Sequence, residues 1–423
     1  TMNINDAQNG RQRIVITGLG AVSPLGLDVA STWQGLIEGK SGVSTITTFD
    51  TSDFPTKIAA SVHGFDPTLY LNQREARRMS PFILYALAAA YEAVTQARLD
   101  LSQEDPTRVG VEIGSGLGGT SIVEEQRLIL ENNGIRHINP SMVPAILINT
   151  AACMVAIQLG IKGPVNSGVS ACASGLTSLG DAARRLAWGD AEVMLAGGAE
   201  SVMTPLAIAG FSRLGALSKK NDTPERACAP FDADRDGTVV GEGAAVLVLE
   251  TLDHALGRNA PILAEVLGYG LTCDAYHTAA PDPSGDGAAR AMTNALRDGG
   301  TSPDEVDYIC AHGTGTPLND TSETLAIKTA LGDRAYEVPV SSNKGAIGHL
   351  IGAAGAISTV AGVQAILTGL IPPTINYQTP DPECDLDYVP NVAGETMVNT
   401  VMVNSFGFGG QNACLVLRRW DRH

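Results

Sequence analysis

The sequence predicts an α/β fold made of two similar halves. Three observations carry that expectation. Short apolar, β-branched runs alternate along the chain with segments of helical period. The order of elements starts again near residue 261, which divides the chain into residues 1–260 and 261–423. No low-complexity stretch or flexible linker separates the two series. A length of 423 residues suits two or three structural units, and 44% hydrophobic against 17% charged residues supplies a large core.

The elements follow in order. "RIVITGLGAVSP", from Arg13 to Pro24, has the run of a buried strand. "SPFILYALAAAYEAVTQA", Ser80 to Ala97, reads as a mostly buried helix. "VGVEIGSGLGG", Val109 to Gly119, is a strand ending in a Gly-rich turn, and "AEVMLAGGAES", Ala191 to Ser201, is another strand. Between them, "PVNSGVS" is a short strand, and "ASGLTSLGDAARRLAWG" has apolar residues at Leu176, Leu179, Ala183 and Leu186, which is helical spacing. After "GAAVLVLETLDHALGRNA" the series restarts with strand-like "PILAEVLGYGL" and a helix, "GAARAMTNALRDGG", stopped by glycines. "VDYICAHGTGTP" is a strand entering a loop, and "TSETLAIKTALG" is a helix. A short strand, a loop and a long apolar helix follow in "VPVSSNKGAIGHLIGAAGAISTVAGVQAILTG". "VMVNSFGFGGQNACLVL" reads as two strands joined by a Gly-rich turn.

The formal net charge is −17 with no Lys/Arg-rich run, which disfavours a nucleic-acid binder. Seven irregularly spaced cysteines, none in C-x-x-C spacing, fit a reducing compartment such as the cytoplasm and indicate no zinc site. No long uninterrupted apolar run reads as a membrane span, and the first residues lack a signal-peptide core.

Cys172, in "VSACASG", falls at the start of a helix among small neighbours. Helix N-termini favour thiolate over thiol, and the small residues leave room for a substrate carbonyl. A buried inert thiol and a nucleophile both remain open on these residues alone. His312 follows the strand "YICA", and His349 lies before the long apolar helix; both sit in strand-end loops, where catalytic groups concentrate. His277, in "CDAYHT", is a weaker candidate, and His63, His137, His254 and His423 read as surface residues. "DTSE" matches a capping box with Asp320 at the N-cap and Glu323 at N3. Lys344 is expected to be partly buried beside a carboxylate, with Glu323 as its partner. "NSFGFGG", Asn404 to Gly410, offers backbone N–H groups to an oxyanion and two phenylalanines to a pocket wall.

Together "ACASG", "DRDGTVVGEGA", "DAYH", "AHGTGTP", "NKGAIGHLIGAAG", "PPTIN" and "NSFGFGG", in this order, resemble the β-ketoacyl-[acyl-carrier-protein] synthases, most closely the type II elongating enzymes. The resemblance covers nearly the whole chain. It implies the thiolase-like fold, with two α/β halves in five α-β-α-β-α layers, and a homodimer. It implies that Cys172 is the acylated nucleophile and that His312 and His349 stabilise an enolate. Lys344, charged and paired with Glu323, would order the histidine loop. Backbone N–H groups of Cys172 and Phe408 would form an oxyanion hole. Phe408 would gate the acyl pocket with Phe211 as its partner, and Thr314 and Thr316 would bond a pantetheine arm.

The implied reaction joins malonyl-acyl carrier protein to an acyl group on Cys172, giving 3-oxoacyl-carrier in fatty acid elongation, with no metal or organic cofactor. Acyl carrier protein is the implied partner. Arg74, Arg77 and Arg78 stand where the family places carrier-binding basic residues, and Arg213, Lys219 and Lys220 form a second basic stretch. Two departures stand out. "TAAP" follows "DAYH" where relatives often carry hydroxyl residues, and Ser174 replaces a more frequent Thr. A thiolase would need a second catalytic cysteine near "NSFGFGG", and a chain-length factor would lack Cys172. A free-standing polyketide ketosynthase is the alternative that stays open.

Overall fold

A computed structural model describes residues 11–421. Ten strands form one sheet system. They are β1 (Ile14–Val22), β2 (Val109–Gly114), β3 (Val165–Asn166), β4 (Val193–Glu200), β5 (Gly243–Thr251), β6 (Ala264–Cys273), β7 (Tyr308–Cys310), β8 (Val340–Ser341), β9 (Thr400–Gly407) and β10 (Gln411–Arg419). Their spatial order is β8-β7-β9-β10-β6-β1-β5-β4-β2-β3. Adding five to each strand of the first half gives the order of the second, so one topology occurs twice. The two sheets meet where β1 and β6 pair antiparallel, Ile14 opposite Val266 and Ile16 opposite Ala264.

Six helices complete the repeat: α1 (Pro81–Gln96), α2 (Thr150–Leu159) and α3 (Ser174–Ala187), then α4 (Asp286–Asp298), α5 (Pro317–Leu331) and α6 (Ala354–Thr368). Strand alternation decides where each packs. Along β5, Ala245, Leu247 and Leu249 join the central core with Leu176 and Leu179 of α3 and Ile357 and Val360 of α6. Their neighbours Val246 and Val248 face an outer core with Ile83 and Leu87 of α1 and Val155 of α2. The second sheet repeats this, with Ile309, Met402 and Val416 packed against Met292 of α4 and Ile327 of α5. The layers are therefore α1/α2, sheet, α3/α6, sheet, α4/α5.

The stretch Ile351–Thr368 is long and apolar enough to span a membrane by length and composition, yet 83% of it is buried inside the fold. Its apolarity belongs to the central layer, where α6 has protein on nearly every side.

Several local expectations shift. "PVNSGVS" yields only the two-residue strand β3. The "DTSE" capping box does not form. Helix α5 begins four residues earlier, with Pro317 at its first turn and the Thr316 side chain accepting from Asn319 N–H. Proline supplies the helical φ and has no N–H to leave unpaired, so it fixes that start. Asp320 and Glu323 thus sit inside the helix, on its buried face. His254 is not a plain surface residue, because its ring bridges Glu250 and Glu104. His423 lies outside the described residues.

Candidate active site

The two central helices begin alike. The six residues Ser170-Ala171-Cys172-Ala173-Ser174-Gly175 and Leu350-Ile351-Gly352-Ala353-Ala354-Gly355 each make a short 3-10 turn and then a helix. The second residue of each is left-handed without being glycine, φ +50° at Ala171 and +44° at Ile351. Such a conformation costs about 1–2 kcal/mol and needs surrounding support. At Ala171 the support is Ser174, whose hydroxyl donates to the Ala171 carbonyl at 2.7 Å and accepts from Ser170 N–H at 3.0 Å. Ser405 Oγ donates to the Cys172 carbonyl at 2.9 Å, tying the turn to β9.

Cys172 sits at the base of a mainly apolar cavity of about 470 Å³, whose walls include His312, His349, Thr314, Thr316, Phe211 and Phe408. The backbone N–H groups of Phe408 and of Cys172 itself face the sulfur. Burial pushes the thiol up to about 12, against the pull of the Lys344 ammonium. The helix end therefore does not make a standing thiolate in the free protein; desolvation outweighs it.

The His312 and His349 rings lie edge to face with centroids 5.3 Å apart. Burial holds both well below the usual histidine range, with Lys344 acting in the same direction, so both imidazoles are neutral near neutral pH. Ile351 N–H donates to His349 Nδ1 at 3.2 Å. That bond puts the ring proton on Nε2. His312 Nδ1 is buried with no hydrogen-bond partner among the described residues.

Two buried carboxylates on α5 hold the His312 loop by its backbone. Glu323 accepts from His312 N–H at 2.8 Å and Gly313 N–H at 2.7 Å. Asp320 accepts from Thr314 N–H at 3.0 Å and Phe231 N–H at 2.7 Å. Burial raises the Glu323 carboxyl to about 7 while the two N–H donors oppose the rise. Lys344 is fully rather than partly buried, and it does not ion-pair with Glu323. Its ammonium donates to the His312 carbonyl instead. Glu323 acts on it only through the field, favouring the charged form that burial disfavours. The loop is thus held at its carbonyl by the Lys344 side chain and at its N–H groups by carboxyl oxygens of Glu323 and Asp320.

Phe211 reaches the cavity from the helix Pro205–Leu214, and Phe408 from the β9–β10 hairpin, where it is 39% exposed. The Thr314 and Thr316 hydroxyls bond each other at 2.9 Å. His277 stands exposed at the cavity wall, its Nδ1 accepting from Ala279 and Ala280 N–H. None of the six basic residues named for docking lines the cavity. Arg74 and Arg77 are exposed, Arg78 is half-buried, and Arg213 is exposed one residue before the cavity-lining Leu214. Lys219 is exposed, whereas Lys220 donates to the Asp234 carbonyl at 2.7 Å.

Sequence reasoning missed Asp320 as a loop anchor, Ser405, Arg235, whose motif was quoted without a role for it, and Glu200, which has no local signature. Arg235, inside "DRDG", is buried and pairs with Asp381 at 2.5 Å and Asp320 at 3.7 Å. Glu200, the last residue of β4, is fully buried against the Gly352 turn and the Gly116 loop that follows β2.

Comparison with known proteins agrees with this layout. Residues 11–255 match the family model for the beta-ketoacyl synthase N-terminal domain, and residues 263–378 match its C-terminal counterpart. The chain is 51% identical to the 3-oxoacyl-[acyl-carrier-protein] synthase 2 of Coxiella burnetii over 409 residues, which covers 97% of this chain and 99% of that protein. It is 47% identical to the synthase 2 of Synechocystis over 411 residues, with the same coverage. Among solved structures, a type II polyketide ketosynthase in complex with its acyl-carrier protein superposes with a TM-score of 0.90 at 36% identity, covering 97% of this chain and all of that one. A beta-ketoacyl synthase from Burkholderia phymatum does so with a TM-score of 0.90 at 35% identity, with the same coverage. The family models cover both halves of this twice-repeated fold, and relatives at about half identity span nearly the whole chain, so the chain belongs to the beta-ketoacyl synthases.

Proposed function

We propose that the chain catalyses decarboxylative condensation of malonyl-acyl carrier protein with an acyl group held on Cys172, the 3-oxoacyl-carrier synthase 2 reaction of fatty acid elongation. The observation that carries this is the shared cavity floor, where the sulfur meets two imidazoles that are both neutral.

The first half-reaction moves an acyl group from carrier to enzyme. Cys172 sulfur attacks the thioester carbonyl, and the N–H groups of Cys172 and Phe408 receive the developing oxyanion. The bond to the pantetheine sulfur breaks, and that sulfur leaves with the proton the thiol gives up. Because the resting thiol is protonated, its loss of the proton accompanies attack rather than preceding it.

In the second half-reaction the malonyl carboxylate leaves as carbon dioxide. Its bonding electrons pass into an enolate. Nε2–H of His349 donates to the enolate oxygen, with His312 beside it. The enolate carbon attacks the acyl carbonyl, the bond to Cys172 breaks, and the thiolate that leaves takes a proton from solvent water to restore the resting thiol. No step calls for a metal or organic cofactor. Lys344 and Glu323 serve by fixing the His312 loop. Thr314 and Thr316 suit the pantetheine arm, and Phe408 and Phe211 the mouth and acyl side of the cavity.

Acyl carrier protein is the partner in this reading, met by Arg74, Arg77, Arg78, Arg213 and Lys219. Lys220, already bonded to Asp234, has less to offer. A homodimer is supported by the exposed edge strand β3 and the apolar side chains around it, with Val165 39%, Val169 54% and Ile157 69% exposed. An apolar surface beside an unpaired strand is what a second copy would cover. Cytoplasmic residence fits seven free cysteines.

Incubation with acyl-carrier and mass spectrometry tests the first half: an acyl adduct on the peptide holding Cys172 supports it, and an adduct elsewhere removes it. Release of carbon dioxide from malonyl-carrier tests the second. The polyketide alternative has structural neighbours on its side, but the more similar relatives are the synthase 2 proteins. Efficient extension of plain saturated acyl chains supports elongation over polyketide service.

A further inference from the structure

We propose that Glu200 is a positioning residue for His349, setting that ring's tautomer and aim through the Ile351–Gly352 turn. The inference rests on the condensation mechanism above for its consequence, though not for its geometry.

Glu200 is fully buried at the carboxyl end of β4, and four donors converge on it. From the first half come Ser115 Oγ at 2.8 Å, Gly116 N–H at 2.6 Å and Leu117 N–H at 3.3 Å. From the second half comes Gly352 N–H at 3.1 Å. Each contact gives the carboxylate a proton to accept, and no neighbour asks it to donate, so the arrangement suits the ionised group. Burial works the other way, raising its pKa. A carboxylate kept there despite that cost has to be holding something in place.

What it holds is the turn that addresses His349. Gly352 follows Ile351, the left-handed residue whose N–H donates to His349 Nδ1. The repeat makes the logic visible. Gly352 occupies the place of Cys172, whose N–H faces the sulfur and the oxyanion position. In the second half the matching N–H faces a resident carboxylate instead. The anion that a substrate brings transiently to one turn is built permanently into the other.

The packing leaves this turn little freedom. A Cβ on Gly352 would stand 2.4 Å from Gly116 N and 2.8 Å from Glu200 Oε2. A Cβ on Gly116 would stand 2.9 Å from Glu200 Oε2 and 3.0 Å from Ile351 Cγ2. The Gly116 loop, Glu200 and Ile351 therefore move together or not at all.

Glu200→Gln tests the idea. The amide keeps the shape but loses one acceptor oxygen and the charge. Malonyl-carrier decarboxylation is expected to fall about 10²-fold, the usual cost of a small misplacement near the chemistry. Acyl transfer to Cys172 should not fall, because the Cys172 turn is held by Ser174 and Ser405, and removing the Glu200 charge, which raises the thiol, can only ease its loss of a proton. Nitrogen NMR of His349 in the free protein, assigned by loss of its signal in His349→Asn, should change from the Nε2-protonated form to a mixture. If Glu200→Gln does not fold, Gly116→Ala presses on the same contacts without changing charge, and the same selective pattern is expected at smaller size. A selective loss with a mixed tautomer supports the proposal; any other combination, including equal loss of both half-reactions, overturns it. Absence of decarboxylation in the parent enzyme would instead overturn the proposed function, and the NMR result would still judge the role of Glu200.

Discussion

The turn at Cys172 and the turn at Gly352 share a backbone and divide the work. Both place a strained residue before a helix of the central layer. The first keeps a side chain at the critical position and leaves its N–H groups toward the cavity. The second has no side chain there, and its N–H bonds a buried carboxylate. His349, two residues before Ile351, supplies the chemistry on that side. A repeated fold thus becomes an asymmetric site by small changes at matching positions, not by rearranged topology.

The largest effect that tests this division is loss of the sulfur. Cys172→Ala should end acyl-enzyme formation and lower condensation on the order of 10⁴-fold or more, with malonyl decarboxylation surviving. If this variant still condenses, the two turns do not divide the work as stated. Next come the imidazoles. His349→Ala and His312→Ala should each keep acylation and lose about 10²–10⁴ in decarboxylation, read as carbon dioxide release.

A third experiment asks whether the second turn could take over the role of the first. Gly352→Cys should not create a second acylation site, and it should destabilise the protein by about 1–3 kcal/mol through its clash with the Gly116 backbone. Thermal unfolding and adduct mass check both statements. A stable, doubly acylated variant would erase the contrast.

The pH dependence of Cys172 alkylation sharpens it further. Since burial pushes the thiol up to about 12, the neutral form dominates until strongly alkaline pH. The alkylation rate should climb about tenfold per unit between roughly pH 6 and pH 10. A plateau near about pH 8 would mean that Lys344 and the helix end outweigh burial. Smallest is docking: Arg77→Glu with Arg78→Glu should raise KM for the acyl carrier several-fold and spare a small thioester. Equal effects on both substrates would remove these residues from the carrier surface.

Much of this was legible in the sequence because the fold is built from local signals. Strands β1, β2 and β4 declare themselves by apolar runs, and α3 by its spacing after Cys172. The loops holding His312 and His349 stand out because each follows a strand and precedes a helix. Reading failed where a local rule met a distant partner. "DTSE" satisfied the capping-box pattern, but Pro317 had already begun the helix, and the freed carboxylates turned to the His312 loop. Glu200 has no local signature at all; its partners lie 84 and 152 residues away. Lys344 looked like a partner for Glu323 because opposite charges suggest a pair. Backbone groups, which no sequence pattern displays, took both of them.

The helix α6 has one more consequence, for how the chain comes to be folded. Its residues cover the inner faces of both sheets, including Leu247 and Leu249 of the first half. During synthesis those strands emerge about a hundred residues before their cover does. Until residue 368 has left the ribosome, the first half carries an open apolar face and cannot complete its core. The two halves repeat one another in shape, yet neither can finish folding alone.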